Sequence, residues 1–249
     1  MSLWVSCEGE KYIEQIEVDP WRVVEAQHIS SSRDLVDTIE EHDLLEELLE
    51  DSKPIVPNRT HYLIFTPFRY PPLKYGSRFG RQFEPSLWYG SLELQTSFAE
   101  VAFYRLKFFD DSSANLGYIE IPMTVFKAHI NTKQGIDLTK NMFSKHLEKI
   151  SNKNNYDYSQ PLGTDMRNAG IEAFLFASAR VSNLSKNAAA FIPRVFTKKN
   201  GQFISNMQNW SCLANKKNIE FTRFGILNVE RLVFSDEDFK IDQKFKKSI

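Results

Sequence analysis

A loop rich in arginine and aromatic side chains is the first part of the sequence that points to chemistry. No acidic residue occurs between Arg59 and Glu84. Four cations alternate there with five aromatic residues, namely Arg69, Lys74, Arg78 and Arg81 among Phe68, Tyr70, Tyr75, Phe79 and Phe83. Guanidinium groups bind phosphate oxygens through bidentate hydrogen bonds, and aromatic side chains stack on planar rings. The loop is typical of a site for a nucleotide or a single-stranded nucleic acid. The simpler alternative is a surface loop that prolines hold against the body.

Two further residues carry polar groups beside strongly apolar segments. Glu100 lies nearly opposite the apolar stripe of a helix that the spacing predicts over residues 97–109. Ser97 and Glu100 also fit a capping box, in which the carboxylate satisfies backbone donors and takes no part in a reaction. Ser178 follows an apolar run at 171–176, a position where small polar residues usually form turns. The residues alone therefore leave open a purely structural role for both Glu100 and Ser178.

Several familiar active-site motifs are absent from the sequence. It has no GxxxxGK[ST] phosphate loop, no GxGxxG dinucleotide fingerprint, no HExxH zinc motif and no GxSxG nucleophile elbow. The five histidines are scattered and Cys7 and Cys212 are far apart, so no spacing predicts a metal site.

The elements that must position these residues are short strands interrupted by helices. Helices are predicted near residues 31–53, over 97–109, over 143–150, and over 162–169 with Gly170 as the C-cap. Strands are predicted at residues 62–66, 87–89, 117–121, 125–130, 171–176, 188–192, 219–224 and 229–234. This order favours an α+β fold over a doubly wound parallel sheet.

The net charge of −1 hides an asymmetry that predicts the domain organisation. Residues 1–51 hold 15 acidic and 3 basic residues, a balance of −12, which leaves +11 for the remainder. We therefore predict an acidic helical extension over residues 1–57 and a main domain over 58–235. A polar basic tail over 236–249 follows. A basic body attracts nucleic acid, a nucleotide or another polyanion, while an acidic run is most often a solvated helix surface.

The composition is that of a globular protein of the cytoplasm. Of the 249 residues 42% are hydrophobic, and no run of about 18 apolar residues predicts a membrane span. The sequence begins without the basic start and long apolar stretch of a signal peptide, and two cysteines are too few for a disulfide framework. We expect a cytoplasmic enzyme or binding protein.

Five short motifs, in order and at matching spacing, make the chain resemble the RES-domain family, named for arginine, glutamate and serine. They are residues 66–70 (TPFRY), 76–80 (GSRFG), 87–90 (LWYG), 99–100 (AE) and 176–180 (FASAR), followed by Asn187 and Phe191. The resemblance covers residues 60 to 215. The acidic segment before it also resembles the longer members of that family.

The resemblance implies a fold similar to ADP-ribosyltransferases, with mixed, largely antiparallel sheets and flanking helices. It implies NAD as the substrate, with no cofactor, and a toxin that a helix-turn-helix antitoxin neutralises. Carried over by motif, the catalytic residues are Arg69, Glu100 and Ser178. The residues expected to line the NAD site are Tyr75, Arg78, Tyr89 and Asn187.

Three functions remain open at this point. The first is cleavage of the nicotinamide–ribose bond of NAD by phosphate or water. The second is mono-ADP-ribosylation of a protein. The third is a non-catalytic nucleic-acid-binding module that uses the same basic, aromatic loop, although the family resemblance predicts no direct contact with nucleic acid or membrane.

Overall fold

A computed structural model of the protein describes residues 2–26, 31–55, 61–70, 73–114, 116–181, 184–225 and 228–239. The last ten residues of the predicted basic tail, 240–249, and the end of the predicted extension, 56–57, lie outside these ranges. In the part that is described, no helix is both long and apolar enough to cross a membrane.

The described chain forms one mixed sheet of ten strands, nearly all antiparallel. The strands are β1 (Glu14–Val18), β2 (Trp21–Glu25), β3 (Trp88–Ser91), β4 (Ile119–Ala128), β5 (Ile130–Asp137), β6 (Ala173–Ala177), β7 (Lys186–Ala190), β8 (Ile204–Ala214), β9 (Asn218–Phe224) and β10 (Val229–Ser235). Their order in the sheet is β1-β5-β6-β7-β3-β2-β4-β8-β9-β10, and only β5 and β6 pair in parallel. The predicted α+β class is confirmed.

Seven α-helices accompany the sheet in the described part. They are α1 (Leu3–Ser6), α2 (Ile39–Asp51), α3 (Tyr62–Phe65), α4 (Leu94–Asp111), α5 (Leu147–Ile150), α6 (Ser159–Asn168) and α7 (Asp236–Phe239). Short 3₁₀ turns occupy Gly9–Tyr12, Ser31–Leu35, Thr66–Arg69, Asn141–His146 and Pro193–Val195.

The N-terminal segment is part of the sheet, which corrects the predicted helical extension over 1–57. Strand β2 lies between β3 and β4, with Val23 buried and opposite Val125 of β4. Strand β1 pairs with β5 and buries Ile16. Five-residue strands in an acid-rich segment are too short to give a recognisable alternation. The charge balance therefore led us to predict a helical extension where the structure has two strands of the sheet.

Helix α4 positions the central part of the candidate site. It begins three residues before the predicted start and buries the predicted apolar stripe against β8 and β9. The ring of Phe98 lies 4.7 Å from both Trp210 and Phe221, measured between ring centroids. Helix α4 is therefore held in place by aromatic packing, and this packing fixes the rotation of the helix about its own axis.

Helix α6 holds the Ser77–Gly80 turn in place from the other side. The predicted helix is confirmed as α6, which ends at Asn168. Its C-cap is Ala169, and Gly170, which we predicted as the cap, follows with a positive φ of 76°. A Cβ at Gly163 would lie 2.1 Å from the carbonyl oxygen of Phe79. The helix and the turn can approach this closely only because position 163 is glycine.

Two strand predictions are wrong. Residues 62–65 form the one-turn helix α3, which His61 caps by accepting from the Leu63 N–H at 3.3 Å, because a short apolar run does not distinguish helix from strand. The strands predicted on either side of Pro122 are a single strand, β4. Proline has no backbone N–H, but the neighbouring strand β2 ends beside Pro122, so no ladder hydrogen bond is lost there. The Pro122 carbonyl still accepts a hydrogen bond from the Ala26 N–H.

The acidic helix α2 starts later than predicted. Residues 31–35 form a 3₁₀ turn, and the α-helix begins at Ile39 with Thr38 and Glu41 forming a complete capping box. Leu44 and Leu48 on its apolar side are exposed. Helix α2 therefore leaves these leucines of its apolar stripe exposed to solvent.

The first four residues of the predicted tail, 236–239, are structured and correct that boundary. They form α7, and the buried ring of Phe239 lies 5.7 Å from Phe103 of α4. One aromatic residue at the end of a polar segment was the only sequence signal for this contact.

Candidate active site

A cleft of about 530 Å³ opens between β2, β3 and α4. Its volume lies in the range of small-molecule sites. Four of the seven predicted site residues line it, and they come from the Ser77–Gly80 turn, β3, α4 and β7: Arg78, Tyr89, Glu100 and Asn187. Sequence positions more than 100 residues apart are thus brought to one surface.

The carboxylate of Glu100 is fixed inside the cleft by two hydrogen bonds to one oxygen. Ser178 donates from Oγ to Glu100 Oε1 at 2.6 Å, and Asn187 donates from Nδ2 to the same atom at 2.7 Å. The capping-box alternative is wrong. Ser97 lies inside α4 and donates to the Leu94 carbonyl, while the N-cap of the helix is Glu93.

The other oxygen of Glu100 faces a buried guanidinium. Arg180 Nε lies 3.7 Å from Glu100 Oε2, and only 2% of the Arg180 side chain is exposed. The guanidinium carbon lies 3.4 Å from the centroid of the Phe103 ring, and Nη1 donates to the Lys153 carbonyl. Arg180 belongs to the motif at residues 176–180, but no sequence pattern predicted it at the site.

Strands β6 and β7 position the two residues that bind Glu100. Asn187 pairs with Phe176 of β6 in the ladder, and Ser178 follows one residue after β6 ends. Ser91 donates from Oγ to Asn187 Oδ1 at 2.7 Å, so the amide presents its NH₂ group to Glu100. The Arg180 N–H donates to Ser178 Oγ at 3.1 Å. The carboxylate therefore meets donors that are themselves held in place.

Tyr89 lies on β3 with its hydroxyl held at the Ser77–Gly80 turn. The hydroxyl lies 3.0 Å from Ser77 Oγ and accepts from the Phe79 N–H at 3.2 Å. Burial raises the pKa of Tyr89 to about 12, against smaller lowering effects of these hydrogen bonds. The phenol is neutral at physiological pH and offers an aromatic surface to the cleft.

Arg78 is buried and turned toward backbone carbonyls. Its Nη1 donates to Asn152 O at 2.7 Å, and its guanidinium carbon lies 5.0 Å from the centroid of the Tyr156 ring. Burial, together with the neighbouring Tyr104, raises the pKa of Tyr156 above its ordinary value. The described residues provide no carboxylate within 4.0 Å of Arg78.

The comparison with protein-family models matches a RES domain to residues 55–212, more than half of the chain. The chain belongs to the RES-domain family. The same fold occurs in a chain of the crystal structure of the M. tuberculosis MbcT–MbcA toxin–antitoxin complex. That match has a TM-score of 0.50 and 8% identity, and it covers 82% of this chain and 90% of the other. No curated protein matches the sequence.

Three residues that the RES-domain motifs predicted for the site lie outside the cleft lining. Ser178 is one of them, and it reaches the site through its hydrogen bond to Glu100. Arg69 is buried and donates from Nη1 to Glu50 Oε1 at 2.6 Å and from Nε to Pro54 O at 3.1 Å. The Tyr75 side chain is exposed, beside Lys74. Arg69 therefore joins the C-terminal end of α2 to the body in this structure.

Sequence reasoning missed several residues that line the cleft. They were missed because they come from β2 and from the outer turns of α4. Glu25 comes from β2, and Tyr104 and Arg105 come from α4. Arg105 Nη2 donates to Glu25 Oε1 at 2.8 Å. Tyr104 shares a hydrogen bond of 3.0 Å with the Tyr156 hydroxyl. The i to i+4 spacing from Glu100 to Tyr104 was the one signal that could have found any of them.

The chemistry of the cleft is that of a fixed carboxylate among cations and aromatic rings. Such a set suits a substrate that carries anionic groups and develops positive charge when it reacts. The described residues hold no group of three or more histidine, cysteine, aspartate or glutamate side chains placed to bind a metal ion.

Proposed function

We propose that this RES-domain protein cleaves the nicotinamide–ribose bond of NAD. The observation that carries the proposal is the carboxylate of Glu100, which is held in the cleft by Ser178 and Asn187 and faces Arg180. Cleavage at this bond passes through an oxocarbenium-like state, as other glycosidic cleavages do. A carboxylate fixed beside the ribose stabilises that positive charge and accepts a hydrogen bond from a ribose hydroxyl.

No second carboxylic acid is needed for this reaction. Nicotinamide leaves as a neutral molecule when its bond to ribose breaks, so the leaving group takes up no proton. With phosphate as the acceptor the products are nicotinamide and ADP-ribose 1-phosphate. With water they are nicotinamide, ADP-ribose and one proton.

The other family motifs supply substrate binding in this proposal. Tyr89 stacks on the nicotinamide ring, and Arg78 binds the diphosphate after exchanging its carbonyl partners for phosphate oxygens. Asn187 and Ser178 keep Glu100 in position. Tyr75 reaches the substrate from the rim, and Arg69 serves the reaction after Glu50 releases its guanidinium.

In the cell, we propose that this activity makes the chain the toxin of a toxin–antitoxin pair. The likeness of fold to a chain of a toxin–antitoxin complex supports this role. The partner is a helix-turn-helix antitoxin protein that binds the toxin, and the substrate pool is the NAD of the cytoplasm.

The nucleic-acid-binding alternative finds less support in the contacts of the basic loop. Phe79 is fully buried, and both Arg69 and Arg78 are buried and hydrogen-bonded within the protein. A polynucleotide needs a continuous run of exposed cations and rings along its backbone, whereas a small ligand needs only Arg78, which lines the cleft, to change partners.

The test is to incubate purified protein with NAD, with and without phosphate, and to identify the products by mass spectrometry. Nicotinamide with ADP-ribose 1-phosphate, or with ADP-ribose, supports the proposal and identifies the acceptor. ADP-ribose found attached to protein favours the mono-ADP-ribosyltransferase alternative. Intact NAD together with salt-sensitive RNA binding would refute the proposal.

A further inference from the structure

Tyr104 is an aromatic residue of the cleft to which the proposed function gives no role. It lies on α4 one helical turn after Glu100, so the two side chains are neighbours on the helix surface. Both lie against the guanidinium of Arg180. Its Nε is 3.7 Å from Glu100 Oε2, and its guanidinium carbon is 5.7 Å from the centroid of the Tyr104 ring. These contacts place the ring beside the carboxylate that the proposed function makes catalytic.

The Tyr104 ring is held in position from the loop between α5 and α6. Its hydroxyl shares a hydrogen bond of 3.0 Å with the hydroxyl of Tyr156 in that loop. The Tyr156 ring packs on Arg78, which donates to Asn152 O of the same loop at 2.7 Å. Tyr104 is therefore linked by contacts to Glu100 on one side and to Arg78 on the other. The proposed function assigns these two residues to the ribose and the diphosphate.

The surface of the Tyr104 ring is open although its hydroxyl is engaged. The residue is 49% exposed and lines the cleft from α4, whereas Tyr89 lines it from β3. Burial is the main cause of the raised pKa of Tyr89, and the nearby Tyr104 phenol adds to it. The two phenols are thus close to each other although they come from different walls. A ring that is already fixed loses little conformational freedom when a planar ligand stacks on it.

We propose that Tyr104 contacts the substrate and forms, together with Tyr89, the two aromatic walls of the nicotinamide subsite, an inference that rests on the proposed function. The nicotinamide ring of NAD is planar and carries a positive charge while it is bonded to ribose. Tyrosine rings stack on planar rings and attract cations to their faces. Nicotinamide becomes neutral when its bond to ribose breaks, so the same walls hold the product less tightly than the substrate.

The experiment measures the affinity of the full chain for three probes by ligand-observed NMR. The probes are nicotinamide methylated on the ring nitrogen, which is a cation, neutral nicotinamide, and ADP-ribose, which has no nicotinamide. None of them contains the bond that the proposed reaction cleaves. The variants are Tyr104→Ala, Tyr104→Phe and Tyr104→Leu. The matched control is Tyr118→Ala, since Tyr118 is 72% exposed and does not line the cleft.

Tyr104→Ala should weaken binding of the methylated cation by about tenfold, because stacking and cation–π attraction are lost together. Neutral nicotinamide should lose less affinity, since it carries no charge. The affinity for ADP-ribose should change little. Tyr104→Phe keeps the face of the ring and should bind the cation nearly as well as wild type. Tyr118→Ala should leave all three affinities unchanged.

Equal affinity of wild type and Tyr104→Ala for the methylated cation would overturn the inference, as would a wild type that does not bind the cation. An equal loss for ADP-ribose would overturn it too, because it would indicate a distorted cleft and not a lost ring contact. If Tyr104→Ala does not fold, unchanged binding in Tyr104→Leu, which has no aromatic ring, would contradict it. Binding needs no turnover, so a wild type that binds the cation through Tyr104 but leaves NAD intact would refute only the proposed function.

Discussion

Replacing Glu100 by glutamine separates the proposed catalytic role of this residue from its structural one. The side-chain shape is retained, and the amide oxygen can still accept from Ser178 Oγ and Asn187 Nδ2. The negative charge is lost, and an NH₂ group then faces Arg180 Nε at the position where Oε2 lay at 3.7 Å. The charge, and not the packing, is therefore what the substitution removes.

The structural cost follows from these contacts. A hydrogen bond to a charged group contributes about 1 kcal/mol more than one to a neutral group. Two bonds are affected, but a quarter of the Glu100 side chain is exposed, which reduces the effect. We expect the free energy of unfolding to fall by about 1–2 kcal/mol, which lowers the unfolding temperature by about 2–8 °C.

The catalytic cost is expected to be larger than the structural one. Loss of a well-placed electrostatic group lowers the rate by about a hundredfold or more, equivalent to about 2.7 kcal/mol in the barrier. Nicotinamide release, followed by chromatography at saturating NAD, measures this rate. Calorimetry should show an NAD affinity within about threefold of wild type, because the binding groups remain.

The matched control is Glu120→Gln, since Glu120 also accepts from a serine, Ser211 Oγ at 2.7 Å, but on the exposed surface. This variant should keep wild-type turnover and unfolding temperature. Near-normal turnover of Glu100→Gln would refute the catalytic assignment. A loss of NAD affinity as large as the loss of rate would equally contradict the reasoning, because it would make Glu100 a binding residue.

Three further predictions concern the rest of the molecule. A chain without residues 1–54 should not fold, as seen by far-UV circular dichroism, because it lacks β2 from the middle of the sheet; a folded product would contradict the topology. Glu50→Gln should raise NAD affinity severalfold in calorimetry by releasing Arg69, with little change in the unfolding temperature because Glu50 is exposed; an unchanged affinity would leave Arg69 as an anchor of α2 only. Burial alone would raise the pKa of Asp137, but hydrogen bonds from Lys186 and Thr139 outweigh it and hold the pKa below its ordinary 3.8. The stability that Asp137 contributes is present above pH 3.8 and is lost as the pH falls through the lower pKa of the folded protein. Asp137→Asn should therefore flatten the acid side of a plot of unfolding free energy against pH. An unaltered acid side would contradict this.

Features that depend on neighbours in the sequence were predictable. The apolar stripe of α4 and the end of α6 just before the left-handed Gly170 follow from spacing and residue type within one element. The Tyr89–Glu100 spacing places both residues at one cleft because β3 leads directly into α4. Local patterns of this kind carry their own physical explanation.

Features that depend on distant pairing were not predictable. Asn187 is oriented by Ser91, 96 positions earlier, and no pattern in either segment indicates that contact. Glu25 reaches the cleft because a short strand from an acid-rich segment enters the sheet, against what the charge distribution suggested. Contacts between distant segments also determine that residues 62–65 are helical and that the leucines of α2 are exposed.

The central claim is that NAD binds in this cleft with its nicotinamide–ribose bond at Glu100. The most direct measurement is a crystal structure of the Glu100→Gln variant with NAD, in which slow turnover preserves the substrate. We expect intact NAD with the nicotinamide on Tyr89, the ribose within hydrogen-bond distance of position 100, and phosphate oxygens at Arg78. NAD bound outside the cleft, or bound in it with the ribose remote from position 100, would contradict it.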